Sequence, residues 1–569
     1  MGRLKGHMIY KVIATEFLPL RERPLHDNDE DTYLNLLKLF IVSGPMYFSY
    51  SYDLTNSFQR QAQIDQTLPL WKRADDRFFW NKFVQSDLID FRTSGSRQQH
   101  GQQPAADPYI LPVMFGMMEI AQTALAGTPL TLALITRRSR HRAGTRYFSR
   151  GIDEDGNVSN FNETEQIVIL NENGKSLAGF GAGMQNEKFR GDDAGEPQVC
   201  SYVQTRGSVP VSWAEVNTLH YTPTLQIRGV ESAVNAAAHH FREQINLYGD
   251  NYLVNLVNQK GREKRVKDAY EQMVKLLVSS PAEAQTGDEL TNEKLHNIEP
   301  TKRKSEFDRL HYIYFDFHNE TKGLQWHRAQ LLLDQMAPDL QSQGYFRAVD
   351  MPGDQSGALD VRSQQTSVVR TNCMDCLDRT NVVQSMLARY TLNRIFHDLG
   401  ILPRNQDFKT ADPAFEFLFR NIWADNADVV SKSYSGTGAL KTDFTRTGNR
   451  TKQGALQDLV NSITRYVKNN FLDGPKQDAF DLFLGTHLPS TTSQQVFVDR
   501  RPVMIQGVPF VLAACVFVLV VSFFSASHGP IWVLRVGLVA VSGFCFNFIA
   551  KNGMLFVSST PAAYELNEN

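Results

Sequence analysis

The chain is poor in cysteine: 5 in 569 residues, at Cys200, Cys373, Cys376, Cys515 and Cys545. That excludes a secreted disulfide scaffold and points to a reducing compartment for the soluble part. It has little net charge, with 59 Lys plus Arg against 61 Asp plus Glu. No global excess argues for nucleic acid, so anion binding must come from local patches. The N-terminus, MGRLKGHMIYKVIATEFLPL, has no continuous apolar core of the signal-peptide kind. Gly6 stands where a myristoylation signal needs Ser or Thr.

Charge is missing altogether in one place. From Pro502 to Leu534 there is no Asp, Glu, Lys or Arg, and after Arg535 the apolar run resumes to Ala550. One membrane span takes about 20 apolar residues. Residues 503–525 and 531–550 each fit, joined by Ala-Ser-His-Gly-Pro at 526–530. Arg535, near the start of the second, is expected to snorkel to the interface. Arg500 and Arg501 precede the pair and Lys551 follows it, while the short loop holds only His528. The positive-inside rule then places both long termini in the cytosol.

The remainder alternates strand and helix signals, which favours α/β. TLALITRRS (131–139) reads as a strand, DEDG as a hairpin turn, and SYVQTRGSVPVSW (201–213) as a strand pair around Gly207. Residues 92–107 and 279–306 are polar and loop-like, and 485–501 is a Ser/Thr/Gln-rich linker. At about 3.5 Å per residue that linker reaches at most about 60 Å, enough for work on the chain's own membrane.

Chemistry concentrates in RTNCMDCLDRTN, residues 370–381. Ser367–Arg370 is a short strand signal. Val382, Val383, Met386, Leu387, Tyr390, Ile395, Phe396 and Leu399 recur at helical spacing, with Gly400 as the stop. Cys373–Arg379 therefore forms a loop between a strand and a helix N-terminus, where backbone N–H groups and the dipole favour an anion. Such a cradle lowers a thiol's pKa, so Cys373 can be a thiolate nucleophile toward phosphorus. Arg379, six positions on, offers a planar fork to phosphate oxygens. Thr380 is placed to hydrogen-bond the sulfur. Cys376 has Val382 at the corresponding position, so Cys373 is the better nucleophile. The acid for the leaving group is Asp375, Asp378, or Asp425 or Asp428 in a WADNAD loop. A zinc site would need a second Cys pair or His cluster beside Cys-x-x-Cys, and the sequence offers neither.

The twelve residues of RTNCMDCLDRTN resemble the full signature of the Sac-domain phosphoinositide phosphatases. GTRYFSRGIDEDGNVSNFNETEQ (144–166), VQTRGSVPVSW (203–213), YFDFHNETKG (314–323), the block at 421–454 and NNFLDGPKQDAFDLFLG (469–485) are similar to further family blocks. With its two spans the chain is similar to the integral-membrane members of the endoplasmic reticulum and Golgi, in their fungal form. The resemblance implies an N-terminal, mainly β Sac subdomain (1–130), which looks short, packed on an α/β cysteine-phosphatase-like catalytic domain (131–484). A linker (485–502), two transmembrane helices and a cytosolic tail (551–569) without a lysine-rich retrieval signal follow. It implies hydrolysis of phosphatidylinositol monophosphates, chiefly the 4-phosphate, through a phosphocysteine and without metal or other cofactor. It carries Cys373 as nucleophile, Arg379 as phosphate binder and Asp375 as acid.

Substrate contact is expected from Met374, Cys376, Leu377, Asp378 and Thr380 in the loop, and from His318 and Lys322. Asn372 and Asn381 are expected to brace it. The run Arg137, Arg138, Arg140, Arg142, Arg146, Arg150 reads either as a solvated strand edge or as attraction to an anionic leaflet. Lys441, Arg446, Arg450 and Lys452 form a second basic cluster. Two other readings compete: a catalytically silent phosphoinositide sensor or tether, and a phosphatase for phosphoproteins.

Overall fold

The structure is a computed structural model. It describes residues 2–18, 28–95, 101–171, 197–284, 294–302, 304–322, 326–350, 359–448, 451–489, 497, 501–524 and 531–558. Most of the linker, the loop between the apolar helices, Arg450 and the tail beyond 558 lie outside the described residues.

One mixed sheet organises the molecule. Among the described residues it runs Gly2–Leu4, His7–Lys11, Met46–Phe48, Met114–Leu125, Thr128–Arg138, Asn162–Leu170, Gln198–Arg206, Ser367–Asn372, Asp250–Asn255, Leu310–Phe315, Leu295–Pro300 and Pro281–Ala284. The first seven pair antiparallel. Gln198–Arg206, Ser367–Asn372, Asp250–Asn255 and Leu310–Phe315 then pair parallel. The sheet does not break where the N-terminal and catalytic parts were expected to meet: residue 130 lies inside Thr128–Arg138, which hydrogen-bonds to a strand on either side.

Alternation explains how the antiparallel half is buried on both faces. Leu130, Leu132 and Leu134 pack one way, against the helices Asp378–Asp398 and Pro413–Ser435. Ala133 and Ile135 pack the other way, against Ile9, Met114 and Phe346. The parallel half is layered likewise. Leu253, Tyr312 and Tyr314 meet the helices Val234–Tyr248 and Lys264–Leu277. Val254, Ile313, Phe315 and Val369 meet Gln330–Gln343 and Asp378–Asp398. Helices on both faces of a largely parallel sheet make this half α/β.

Three local expectations are corrected. Gly207 does not join two paired strands: Trp213–Val216 pairs with Thr224–Ile227 in a separate small sheet. WADNAD is not a loop but part of the helix Pro413–Ser435, capped by the Asp412 side chain. The arginine run is not a solvated edge. Arg137, Arg138 and Arg150 are at most 3% exposed, and Arg137 pairs with the equally buried Glu163 and Glu165.

At the C-terminus, Val503–Phe524 and Ile531–Lys551 are long and apolar enough to cross a membrane, and few of their residues are buried. Water would not tolerate that exposure, so they fit two transmembrane helices. Arg535 donates to the carbonyl (2.6 Å) and hydroxyl (3.1 Å) of Ser522, close to the end of the first helix. Where the helices re-emerge, Arg501 donates to the Leu555 carbonyl at 2.9 Å.

Candidate active site

The loop 373–377 leaves the carboxyl end of Ser367–Asn372, a central parallel strand, and enters Asp378–Asp398. Crevices at the carboxyl ends of parallel strands are where α/β sheets take ligands. The turn is tight because Cys376 adopts a left-handed conformation (φ 54°), a strained choice for a residue with a side chain. That choice turns the Cys376 N–H onto Cys373 Sγ at 3.1 Å. The Thr380 hydroxyl, one turn into the helix, approaches the same sulfur at 3.4 Å.

Cys373 is 3% exposed, at the floor of a cavity of about 270 Å³. Its thiol is lowered to about 6: hydrogen bonding by the Cys376 side chain outweighs burial, with help from the charge of Arg379 and the Thr380 hydroxyl. Cys376 moves the opposite way. Burial pushes its thiol up, and the neighbouring Cys373 sulfur reinforces this. Its own Sγ is 3.0 Å from the Gly207 carbonyl and 3.3 Å from the Cys373 carbonyl, donating to both. One cysteine of the pair is thus set up to ionise and the other to stay neutral.

Arg379 lines the cavity, 22% exposed, in a carboxylate and amide clasp. It donates to Glu263 at 3.0 Å, Asn258 Oδ1 at 2.8 Å and the Leu256 carbonyl at 3.0 Å. Against desolvation, the charges of Cys373 and Glu263 hold its guanidinium above the ordinary arginine value.

Asp375 and Asp378 are both in the wall, with opposite electrostatics. Asp375 is clasped by Arg146 (2.9 Å) and Arg150 (2.5 Å), which overcome burial and hold its carboxyl far below the usual range. A carboxylate so held does not keep the proton a general acid must give. Asp378 is pushed up, chiefly by burial; the Arg465 charge and the Leu440 N–H, donated at 2.9 Å, oppose this. Asp425 pairs with Arg446 at 2.6 Å, and neither it nor Asp428 lines the cavity.

Of the other expected contacts, Leu377 and His318 line the cavity, whereas Lys322 is exposed outside it and Thr321 takes that place in the wall. Met374 turns into the hydrophobic core, while its carbonyl accepts from Arg150 at 3.1 Å. Asn372 donates to Asn255 Oδ1 (2.8 Å) and Asn381 to the Trp423 carbonyl (3.0 Å); Asn381 also reaches the cavity. In the second basic cluster, Lys441 lines the cavity, and Arg446 is turned to Asp425 and Asp428.

Arg146, Arg150, Glu215 and Glu263 were not expected at the site. Arg150 is held between Asp375 and Glu215, and Glu215 also binds Arg262. A signal existed: Arg146, Arg150 and the neighbourhood of Glu215 lie in or beside the blocks GTRYFSRG and VQTRGSVPVSW. The cavity is also lined by a segment from Ala439 to Thr445, including Lys441 and Phe444.

The family model of the SacI homology domain matches residues 1–322. The chain belongs to the Sac-domain family. It is 42% identical over 566 residues to phosphatidylinositol-3-phosphatase SAC1 of Saccharomyces cerevisiae, covering 98% of this chain and 81% of that one. The Drosophila melanogaster protein of the same name is 39% identical, covering 86% of this Sac chain and 71% of its own. Human phosphatidylinositide phosphatase SAC2 is 35% identical, over 79% of this chain and 36% of that one.

Proposed function

We infer that this chain is a membrane-anchored phosphoinositide phosphatase, hydrolysing phosphatidylinositol monophosphates through a phosphocysteine on Cys373. The observation that carries the reading is one sulfur, lowered to about 6, receiving the Cys376 N–H and the Thr380 hydroxyl under a cavity that Arg379 enters. Relatives named phosphatidylinositol-3-phosphatase support the substrate class. Those names specify the 3-phosphate. The family resemblance adds the 4-phosphate, which we take as the chief substrate, on endoplasmic reticulum and Golgi membranes with the catalytic domain cytosolic.

The steps follow from the residues. The Cys373 thiolate attacks phosphorus, and the phosphoryl oxygens are met by the loop N–H groups at the helix N-terminus. Arg379 neutralises the charge that develops on them. The inositol oxygen leaves with a proton. Asp378, raised by burial and in the cavity wall, is the better donor; Asp375, ionised between two arginines, holds the loop in shape instead. Asp378 then takes a proton from the water that opens the phosphocysteine, and Thr380 hydrogen-bonds the departing sulfur. No step asks for a metal.

The test is phosphate release by the full chain from vesicles carrying the 3- or 4-phosphate, against a phosphotyrosine peptide. Lipid turnover, indifferent to chelators and lost in Cys373→Ser, is expected. Binding without turnover would replace the reading with a lipid sensor, and preference for the peptide with a protein phosphatase.

A further inference from the structure

The helix Lys452–Phe471 is inverted with respect to water. Leu456, Leu459, Val460, Ile463, Val467 and Phe471 are each between 44% and 61% exposed. At 3.6 residues per turn these six fall on one arc of about 120°. Directly across from that arc, Arg465 is 7% exposed. It donates to the Thr437 hydroxyl (2.9 Å) and the Gly438 carbonyl (3.0 Å). Asn469, on the same side, is 2% exposed and bonded to the Ser435 carbonyl at 3.0 Å. The polar face is packed on protein and the apolar face is turned outward, the reverse of a surface helix in a soluble domain.

What covers the stripe is indicated by where it sits. Asn470, on the same arc, accepts through its carbonyl from the Ser558 N–H at 2.7 Å, and the Gly474 N–H is donated to the Ser558 hydroxyl at 2.6 Å. Ser558 follows the end of the second apolar helix at Lys551 by only seven residues, with Met554 (60% exposed) and Leu555 (46% exposed) between them. Gly553 lies so close to the Thr218 carbonyl that a Cβ there would stand 2.1 Å from its oxygen. Tyr221, 77% exposed, stacks on Tyr466 of the helix at the stripe's edge. The stripe is therefore continuous with the point where the chain leaves the bilayer.

We propose that Lys452–Phe471 lies in the surface of the membrane that holds the two apolar helices, with its stripe among the acyl chains. An outward apolar face with a polar face held by protein is what an interfacial helix requires. The consequence reaches the active site. Arg465 grips Gly438, and Asp458 accepts the Lys441 N–H at 3.0 Å. The segment they hold continues into Ala439, Leu440 and Lys441 of the cavity wall. Seating the helix therefore sets the cavity close to the headgroup layer, where an anionic lipid presents its phosphate.

The test uses the full chain reconstituted in phosphatidylcholine–phosphatidylserine vesicles, with a benzophenone amino acid at position 463 or, off the stripe, at position 457. Lipid adducts several-fold more abundant from 463 than from 457 are expected. Equal yields, or adducts to a second copy of the chain, would overturn the proposal. This arm needs no turnover, so its outcome does not depend on whether the phosphatase reading holds. In the second arm, the double variant Ile463→Asp, Val467→Asp should lose about tenfold in turnover of vesicle lipid while hydrolysing a water-soluble phosphomonoester as before. Equal loss on both substrates would overturn it too, since both side chains are exposed and the fold does not depend on them.

Discussion

Arg150 donates to Asp375 across 2.5 Å, although 225 residues separate them in the chain. The pair fastens the loop of the catalytic part to the connection between Thr128–Arg138 and Asn162–Leu170, two strands of the antiparallel half of the sheet. Arg150 also serves Glu215, which is fully buried. Removing one partner from such a cluster strands the others, at a cost of about 3–5 kcal/mol. Arg150→Met should therefore lower the melting temperature sharply, whereas Asp375→Asn, which keeps neutral hydrogen-bonding atoms there, should lower it less. Thermal unfolding of the two variants checks the order.

The thiolate of Cys373 can be read directly. Alkylation by iodoacetamide, followed by mass spectrometry of the peptide, should rise with a midpoint near pH 6. Cys200, pushed up to about 12 by burial, should stay unmodified. Arg379→Met and Thr380→Val each remove a group that favours the thiolate. Each should move the midpoint upward, and a midpoint that stays put would separate that residue from the sulfur.

The two aspartates of the loop make opposite predictions. If Asp378 supplies the proton, Asp378→Asn should lower kcat on a lipid substrate by about 10²–10⁴-fold. The loss should be much smaller on p-nitrophenyl phosphate, whose leaving group needs no proton. Asp375→Asn should slow both substrates alike, because it disturbs the loop rather than the proton. Comparison of kcat for the two substrates in each variant decides between them.

His311 gives a test of stability far from the site. Burial would lower its pKa, yet hydrogen bonds and charge from Asp250 and Glu299 raise it to about 9. A raised imidazolium contributes stability that is complete below its unfolded value of about 6.5 and disappears as pH climbs through about 9. The shift corresponds to about 3 kcal/mol as an upper figure. Urea unfolding should show His311→Gln much weaker than the parent protein at pH 6 and nearly equal to it above pH 9.

Much of the fold was legible in order rather than in detail. The helix after Arg379 stood out by its long periodic signal and the two apolar helices by their unbroken apolar runs; the short strand before Cys373 was legible because that helix follows it. WADNAD misled because its aspartates look like a loop, although the helix around them is started by Asp412 and closed by Gly436 in the left-handed region. The arginine run misled for another reason. Local sequence cannot show that Glu163, Glu165, Glu215 and Asp375 will face it from distant segments. The same limit applied to the active site. RTNCMDCLDRTN identified the nucleophile's loop, but the contrast between Asp375 and Asp378 is produced by Arg146 and Arg150, more than 200 residues upstream.

One edge of the strand Gln198–Arg206 is paired by Asn162–Leu170, which precedes it; the other is shared by Phe346–Asp350 and Ser367–Asn372, which both follow much later. A ribosome adding about 5–20 residues per second delivers those later partners roughly ten to thirty seconds after the first pairing is possible. Throughout that interval a nascent chain carries a raw, hydrogen-bond-hungry flank of the kind that invites wrong partners. Biogenesis of this protein is therefore a matter of guarding one seam until synthesis closes it, and its yield in a foreign host should follow the supply of chaperones that bind nascent chains.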